Sequence, residues 1–227
     1  MVGKTVGSYR IEEELGRGSA ATVYRAVDTF LGRTVALKIL HKELVADGEF
    51  MKRFRREAIA CGKLLHPNII HIYDVAGEGQ MPYIVMEYCD GTTLSEVLRK
   101  EHRMDTTAAG RILHQIGMAM DYIHSHGLVH RDIKPANIMI SSKGEVKITD
   151  MGIARAVDAT GITVSGTILG TPEYMSPEQV RGEEVDNRSD IYSLGIVMFE
   201  MLSGEIPFKS KNALVLAHKH VNVKIPK

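Results

Sequence analysis

The stretch that decides the fold reads His130-Arg131-Asp132-Ile133-Lys134-Pro135-Ala136-Asn137, followed by Asp150-Met151-Gly152. An acid, a lysine, an amide and a second acid come in quick succession. Carboxylate and amide oxygens suit a hard cation such as Mg2+, and a lysine beside them suits a phosphoryl group. Asp132 is the one base candidate of this loop. Asn137 and Asp150 are the candidate metal ligands.

Upstream, Leu15-Gly16-Arg17-Gly18-Ser19-Ala20-Ala21-Thr22-Val23 joins two short runs with strand character. A glycine-rich hairpin brings backbone amides close to phosphate oxygens because no side chain blocks the approach. A simple tight hairpin explains the glycines equally well. A dinucleotide fold fits worse, because a strand rather than a helix follows. Val35-Ala36-Leu37-Lys38 shifts the balance. On a strand, Ala36 and Lys38 share one face. Ala36 is small enough to lie over a flat base, and Lys38 reaches phosphates from the same side. Glu57, on the helix expected over residues 47–65, is the expected ion-pair partner that orients Lys38.

Periodicity predicts strands at residues 9–15, 21–27, 34–40, 69–75 and 83–87, which make an antiparallel sheet of five strands with one helix against it. Phe50, Phe54, Glu57, Ala58, Cys61 and Leu65 lie near one face of that helix. The remainder reads as mainly helical. Helices are expected at 94–100, 106–126, 189–202 and 213–221, with two short strands at 138–140 and 146–148. The fold class is α+β with two lobes, a small sheet lobe over 9–88 and a larger helical lobe over 89–227. Residues 156–169 lack periodicity and read as a loop.

Composition excludes several classes. Lys plus Arg equal Asp plus Glu at 28 each, so nothing in the balance favours nucleic acid. Two cysteines without metal-ligand spacing predict no disulfide scaffold and a reducing compartment. No apolar run is long enough to span a bilayer, and no signal segment opens the chain. A cytoplasmic domain, or the intracellular part of a membrane-anchored receptor, is the expectation.

Taken together, the glycine loop, Val35-Ala36-Leu37-Lys38, Glu57, His130-Arg131-Asp132, Asn137, Asp150-Met151-Gly152 and Ser176-Pro177-Glu178 resemble the eukaryotic-type (Hanks-type) Ser/Thr protein kinases. Bacterial receptor kinases are the closest-looking branch. The resemblance covers about residues 9–221. It implies ATP as phosphoryl donor, Mg2+ (or Mn2+) as the ion and protein hydroxyls as acceptors. Asp132 then orients the acceptor hydroxyl, Lys134 neutralises the transferring phosphoryl group, and Lys38 with Glu57 completes the catalytic set. Gly16 and Gly18 approach the phosphates. Val23, Ala36 and Met139 enclose the base, and Met86, Glu87 and Cys89 line the adenine edge. Lys134 and Thr171 together resemble the Ser/Thr rather than the tyrosine arrangement. Asp190 resembles the buried acid that supports the catalytic loop.

The same resemblance implies regulation. Arg131 is the expected contact for a phosphorylated loop, with Thr163, Ser165 and Thr167 as autophosphorylation sites. It also implies homodimers through the small lobe. Three departures stand out: Ala21 in place of a third glycine, Met151 in place of phenylalanine, and an end at Pro226-Lys227 where the family continues. That end is expected to expose part of the apolar side of helix 189–202 and to leave Glu178 without its arginine. Two other readings remain: a nucleotide-binding scaffold with little transfer activity, and a kinase of small molecules. Lys134, Thr171 and Ser176-Pro177-Glu178 argue against the second.

Overall fold

The computed structural model describes residues 1–77, 81–151 and 171–226 of the chain. The chain divides into two compact units, Met1–Asp90 and Gly91–Lys227.

The first unit holds, among its described residues, β1 (Thr5–Val6), β2 (Tyr9–Arg17), β3 (Ala21–Asp28), β4 (Thr34–Leu40), β5 (Ile72–Ala76) and β6 (Tyr83–Glu87). They form an antiparallel sheet in the order β1-β2-β3-β4-β6-β5. The predicted five-strand sheet thus gains an edge strand, β1, whose two residues are too few for periodicity to register. β5 begins at Ile72, not residue 69; Ile69 and Ile70 are buried but precede the ladder.

One face of the sheet carries a continuous core. Tyr9, Ile11, Tyr24, Ala26, Val35, Leu37, Ile39, Tyr83 and Val85 pack into one cluster. Every second residue of β4 belongs to it, as the period of a strand requires. Tyr9 and Tyr83 meet edge to face at 6.1 Å within this cluster. Two helices follow β4, α1 (Lys42–Val45) and α2 (Gly48–Gly62). Asp47 caps α2, its carboxylate accepting from the Glu49 and Phe50 amides at 2.9 and 3.0 Å. Phe50, Phe54, Ala58 and Cys61 form its buried stripe. The helix stops short of residue 65, and Leu65 is exposed rather than part of that stripe.

The second unit is mainly helical. A small antiparallel sheet, β7 (Gly91–Thr93), β8 (Ile138–Ser141) and β9 (Val146–Ile148), pairs in that order. A Cβ on Gly91 would sit 2.1 Å from the Ile140 carbonyl oxygen, so only glycine permits this β7–β8 approach. The helices are α3 (Leu94–Glu101), α4 (Thr106–Ser125), α5 (Pro177–Arg181), α6 (Asn187–Ser203) and α7 (Ala213–Asn222). Caps punctuate them. Thr93 with Glu96 and Ser176 with Gln179 form reciprocal capping boxes, while Asp105, Asp186 and Asn212 cap α4, α6 and α7. α4 buries Ile112, Ile116, Ala119, Met120 and Ile123, as its periodicity predicts. α6 is apolar on more than one side: Ile196, Val197 and Met201 are buried, whereas Ile191, Met198 and Leu202 are exposed.

Candidate active site

The chemical groups of the second unit are placed by turns. Asn137 ends a 3-10 turn, Pro135–Asn137, that leads into β8; Asp150 follows β9. The β8–β9 hairpin therefore brings these two acceptors to the same end of one ladder. The Thr149 amide donates to the Asn137 carbonyl at 3.0 Å, which ties the two ends together. Asn137 is 5% exposed, and its Nδ2 donates to both the Asp132 carbonyl oxygen and Asp132 Oδ2, each at 2.8 Å. Its Oδ1 is then left as an acceptor.

Lys134 closes the other side. Its Nζ lies 2.8 Å from Asp132 Oδ2 and donates to Thr171 Oγ1 at 3.1 Å. Asp132, Lys134, Asn137 and Thr171 thus form one bonded group. Charge-assisted bonds of this length hold a carboxylate in a fixed orientation.

The loop that carries Asp132 is held from below. Asp190, 1% exposed on α6, accepts from the His130 and Arg131 amides at 2.8 Å each. Arg131 has φ 66°, a left-handed conformation that costs a branched or long side chain energy unless its surroundings impose it. Gln179 on α5 donates to the Arg131 carbonyl at 2.8 Å, so both the amide and the carbonyl of Arg131 are held. Asp150 is also left-handed, at φ 57°.

His130 is fully buried and its tautomer is dictated by its neighbours. Nδ1 accepts from the Asp132 amide at 3.2 Å, and Nε2 faces the Thr149 carbonyl at 3.0 Å. Nε2 must therefore carry the proton. A third partner of Asp190 is His124, whose Nε2 lies 2.8 Å from Asp190 Oδ2. Met151 is buried, and the Arg131 side chain is exposed. Met139, half-buried in β8, pairs with Thr93 and Lys147.

In the first unit, strand register gathers the groups expected to face a nucleotide. Val23 and Ile84 lie opposite Lys38, Met86 lies opposite Ala36, and Gly16 lies opposite Val23. Directly paired residues project to the same side of a sheet. Gly16, Val23, Ala36, Lys38 and Met86 therefore share the face that the Leu37 core cluster does not use. Lys38 and Glu57 are both half-buried, and Ala36 and Met86 are buried. Glu57 sits close enough to Cys61 to act on its thiol; burial first and Glu57 second push that thiol up to about 12. Glu87 pairs with His71 through two bonds, Glu87 N to His71 O at 2.8 Å and His71 N to Glu87 Oε2 at 3.3 Å. Cys89 follows, half-buried and reduced.

The residues fit a phosphate ligand and a hard cation. A Cβ built on Gly16 meets nothing within 4 Å, and one on Gly18 meets only the Ala21 carbonyl at 3.6 Å. Neither glycine is required by packing inside the unit, so both leave room beside the backbone amides. Among the described residues no three His, Cys, Asp or Glu side chains are grouped to hold a metal. One carboxylate and one amide, Asp150 and Asn137, suit Mg2+ completed by water and phosphate oxygens.

The Protein kinase domain family model matches residues 9–226. The chain belongs to the protein kinase domain family. Several of its relatives are named serine/threonine-protein kinases. Serine/threonine-protein kinase PrkC of Bacillus subtilis is 45% identical over 227 residues, covering 100% of this chain and 35% of that protein. Probable serine/threonine-protein kinase PknB of Lactococcus lactis is 46% identical over 219 residues, covering 96% and 35%. Serine/threonine-protein kinase PknA of Mycobacterium tuberculosis is 44% identical over 226 residues, covering 97% and 52%. The chain spans about a third of the length of the first two relatives. Its kinase fold is bilobal and ATP-binding in kind. No helix among the described residues is long and apolar enough to cross a membrane.

Some members of the kinase site were not legible in the sequence. His124, Gln179 and the Tyr174–Glu200 pair are the main ones. Their partners lie 66, 48 and 26 residues away, beyond any periodic signal. Glu178 accepts from the Ser189 hydroxyl. Gly152, Thr163, Ser165 and Thr167 lie outside the described residues.

Proposed function

We propose that this chain transfers the γ-phosphoryl group of ATP to serine and threonine hydroxyls of proteins, its own residues Thr163, Ser165 and Thr167 among them. The observation that carries this reading is the Lys134 bridge, from Asp132 Oδ2 at 2.8 Å to Thr171 Oγ1 at 3.1 Å. It sets a base, a cation and a substrate-side hydroxyl around one point. An acceptor hydroxyl at that point donates to Asp132, and Lys134 offsets charge on the phosphoryl oxygens.

Asn137 and Asp150 would hold Mg2+, which would offset charge on the phosphate oxygens. Lys38, oriented by Glu57, meets the phosphates, with the Gly16 and Gly18 amides beside them. Val23 and Ala36 cover the base, and Met86, Glu87 and Cys89 meet its edge. Arg131 receives the phosphate of the modified loop. The chain works on the cytoplasmic side of the cell. Copies associate through the first unit, a reading supported by Phe30 at 88% and Leu31 at 68% exposure on the β3–β4 hairpin.

The test is Mg2+-dependent transfer of labelled γ-phosphate to the chain and to a generic basic protein, with Asp132→Asn alongside. Label that vanishes in the variant supports the proposal. A folded chain that binds ATP but transfers nothing overturns it in favour of a nucleotide-binding module. Labelled phosphopeptides that map only outside residues 158–171 overturn the autophosphorylation sites. Sedimentation that stays monomeric at all concentrations overturns the dimer.

A further inference from the structure

The glycine hairpin between β2 and β3 has little packing to set its shape. Residues 13–19 are exposed, and Gly16 and Gly18 carry no side chain. Its tip closes through the Gly18 amide, which donates to the Ala21 carbonyl at 2.9 Å. The arm that follows the tip is held by one residue, His41, which comes directly after β4. The His41 amide donates to the Ala20 carbonyl at 2.9 Å. Its Nδ1 lies 3.0 Å from the Ser19 carbonyl oxygen, and its Nε2 lies 3.1 Å from Thr22 Oγ1.

The tautomer follows from these partners. A carbonyl oxygen only accepts, so Nδ1 carries the proton, and the Thr22 hydroxyl donates to Nε2 of the neutral ring. His41 also stands at the cap position of α1, yet its side chain bonds none of that helix's amides. The ring therefore serves the hairpin and not the helix. Thr22 is 4% exposed and fixed in the sheet, whereas Ser19 is exposed. The ring thus ties a mostly exposed loop to a rigid strand.

A planar trans peptide points its carbonyl and its N–H in opposite directions. Holding the Ser19 and Ala20 carbonyls toward His41 turns the Ala20 and Ala21 N–H groups away from it. β3 lies between β2 and β4, so that direction is the β2 side, where Gly16 and Gly18 leave the backbone open. Two successive N–H groups aimed the same way form a nest that suits an anion. We propose that His41 is a positioning residue for the nucleotide phosphates: its ring holds the Ser19 carbonyl so that the Ala20 and Ala21 amides stay turned toward them. The proposal rests on the ATP-binding reading of the hairpin above and adds the residue that sets its shape.

The test uses the 227-residue chain. It reads the Kd of ATP with Mg2+ and the Kd of adenosine by calorimetry, with the melting temperature alongside. Adenosine keeps the base and the sugar and lacks the phosphates. His41→Ala should raise the Kd of ATP about tenfold and leave that of adenosine within about twofold, because the lost hydrogen bonds act on the phosphates alone. His41→Asn, whose Nδ2 takes the place of Nδ1, should recover most of the loss. His41→Gln, which reaches toward Thr22 in place of Ser19, should not. Thr22→Val should weaken ATP about threefold in the parent and no further in His41→Ala. Equal losses for ATP and adenosine, or a lower melting temperature with both Kd values unchanged, overturn the proposal in favour of a structural role. A full loss in His41→Asn overturns the part played by the Ser19 bond. A parent that binds ATP no more tightly than adenosine overturns the proposal and the phosphate reading of the hairpin together. A parent that prefers ATP, with His41→Ala unchanged, overturns the role of His41 alone. If the alanine variant does not fold, the contrast between His41→Asn and His41→Gln decides.

Discussion

Lys38 and Asp132 reach their places by different physics. Lys38 stands on β4, where alternation sends Val35, Leu37 and Ile39 into the core and Ala36 and Lys38 to the other face. Pairing with β3 and β6 then adds Val23 and Met86 to that face without further instruction. Asp132 has no such support. Its loop contains a left-handed Arg131 and is held by Asp190, Gln179 and His130, two of which lie far away in sequence. A sheet positions a group by repetition, whereas a loop needs individual bonds. Damage to the sheet's core face should therefore lower stability, and damage to the loop's anchors should lower stability and disturb the chemistry together.

The sharpest test of this contrast is chemical. Asp132→Asn keeps the size of the side chain and should lower kcat by about 10²–10⁴-fold, measured by phosphate transfer, with the unfolding midpoint little changed. Lys38→Met should lower kcat/KM by about 10²–10³-fold, again with a folded sheet, because Lys38 lies on the face outside the core cluster. Retained transfer in both variants would break the functional half of the comparison.

Next come the anchors. Asp190→Ala strands two buried amides and removes the partner of His124, so urea unfolding should show a loss of about 2–5 kcal/mol, with kcat falling as well. Leu37→Ala, fully buried on the core face, should cost a similar 2–5 kcal/mol or so while the kcat of the remaining folded protein stays within about threefold. A Leu37→Ala protein with collapsed kcat would show that the two faces of the sheet are not independent. Asp47→Ala removes only the cap of α2 and should cost about 1 kcal/mol by the same assay.

The smallest effect at neutral pH concerns Cys61. Its thiol is raised from 9.0 to about 12, so iodoacetamide at pH 8 should leave it unmodified in the folded protein and label it after denaturation, as read by mass spectrometry. The neutral thiol is favoured by folding. Its contribution to stability is whole below about pH 9 and is lost as pH rises towards 12.

Much of the fold was legible because its signals are local. Five strands, the stripe of α2 and the buried side of α4 follow from spacing alone. β1 and the true ends of α2 and β5 were missed because short runs and helix ends carry little periodic information. Leu65 illustrates the limit: it has the spacing of the stripe but lies beyond the last turn of α2 and is exposed. In the site, residue types named the chemistry of Asp132, Lys134, Asn137 and Asp150, and the structure supplied their bonds. Glu200 had no visible role in the sequence, since an acid on a mostly apolar helix reads as a solvated position until Tyr174 is seen beside it.

The sequence by itself determined the family, the two-part architecture and the candidates for the catalytic groups, because short motifs and alternating hydrophobicity are properties of neighbours along the chain. Only the tertiary structure decided how the catalytic loop is held, which nitrogen of His130 carries its proton, and that Tyr174 and Glu200 are bonded. Those outcomes depend on partners dozens of residues apart, whose meeting is set by packing rather than by any local preference.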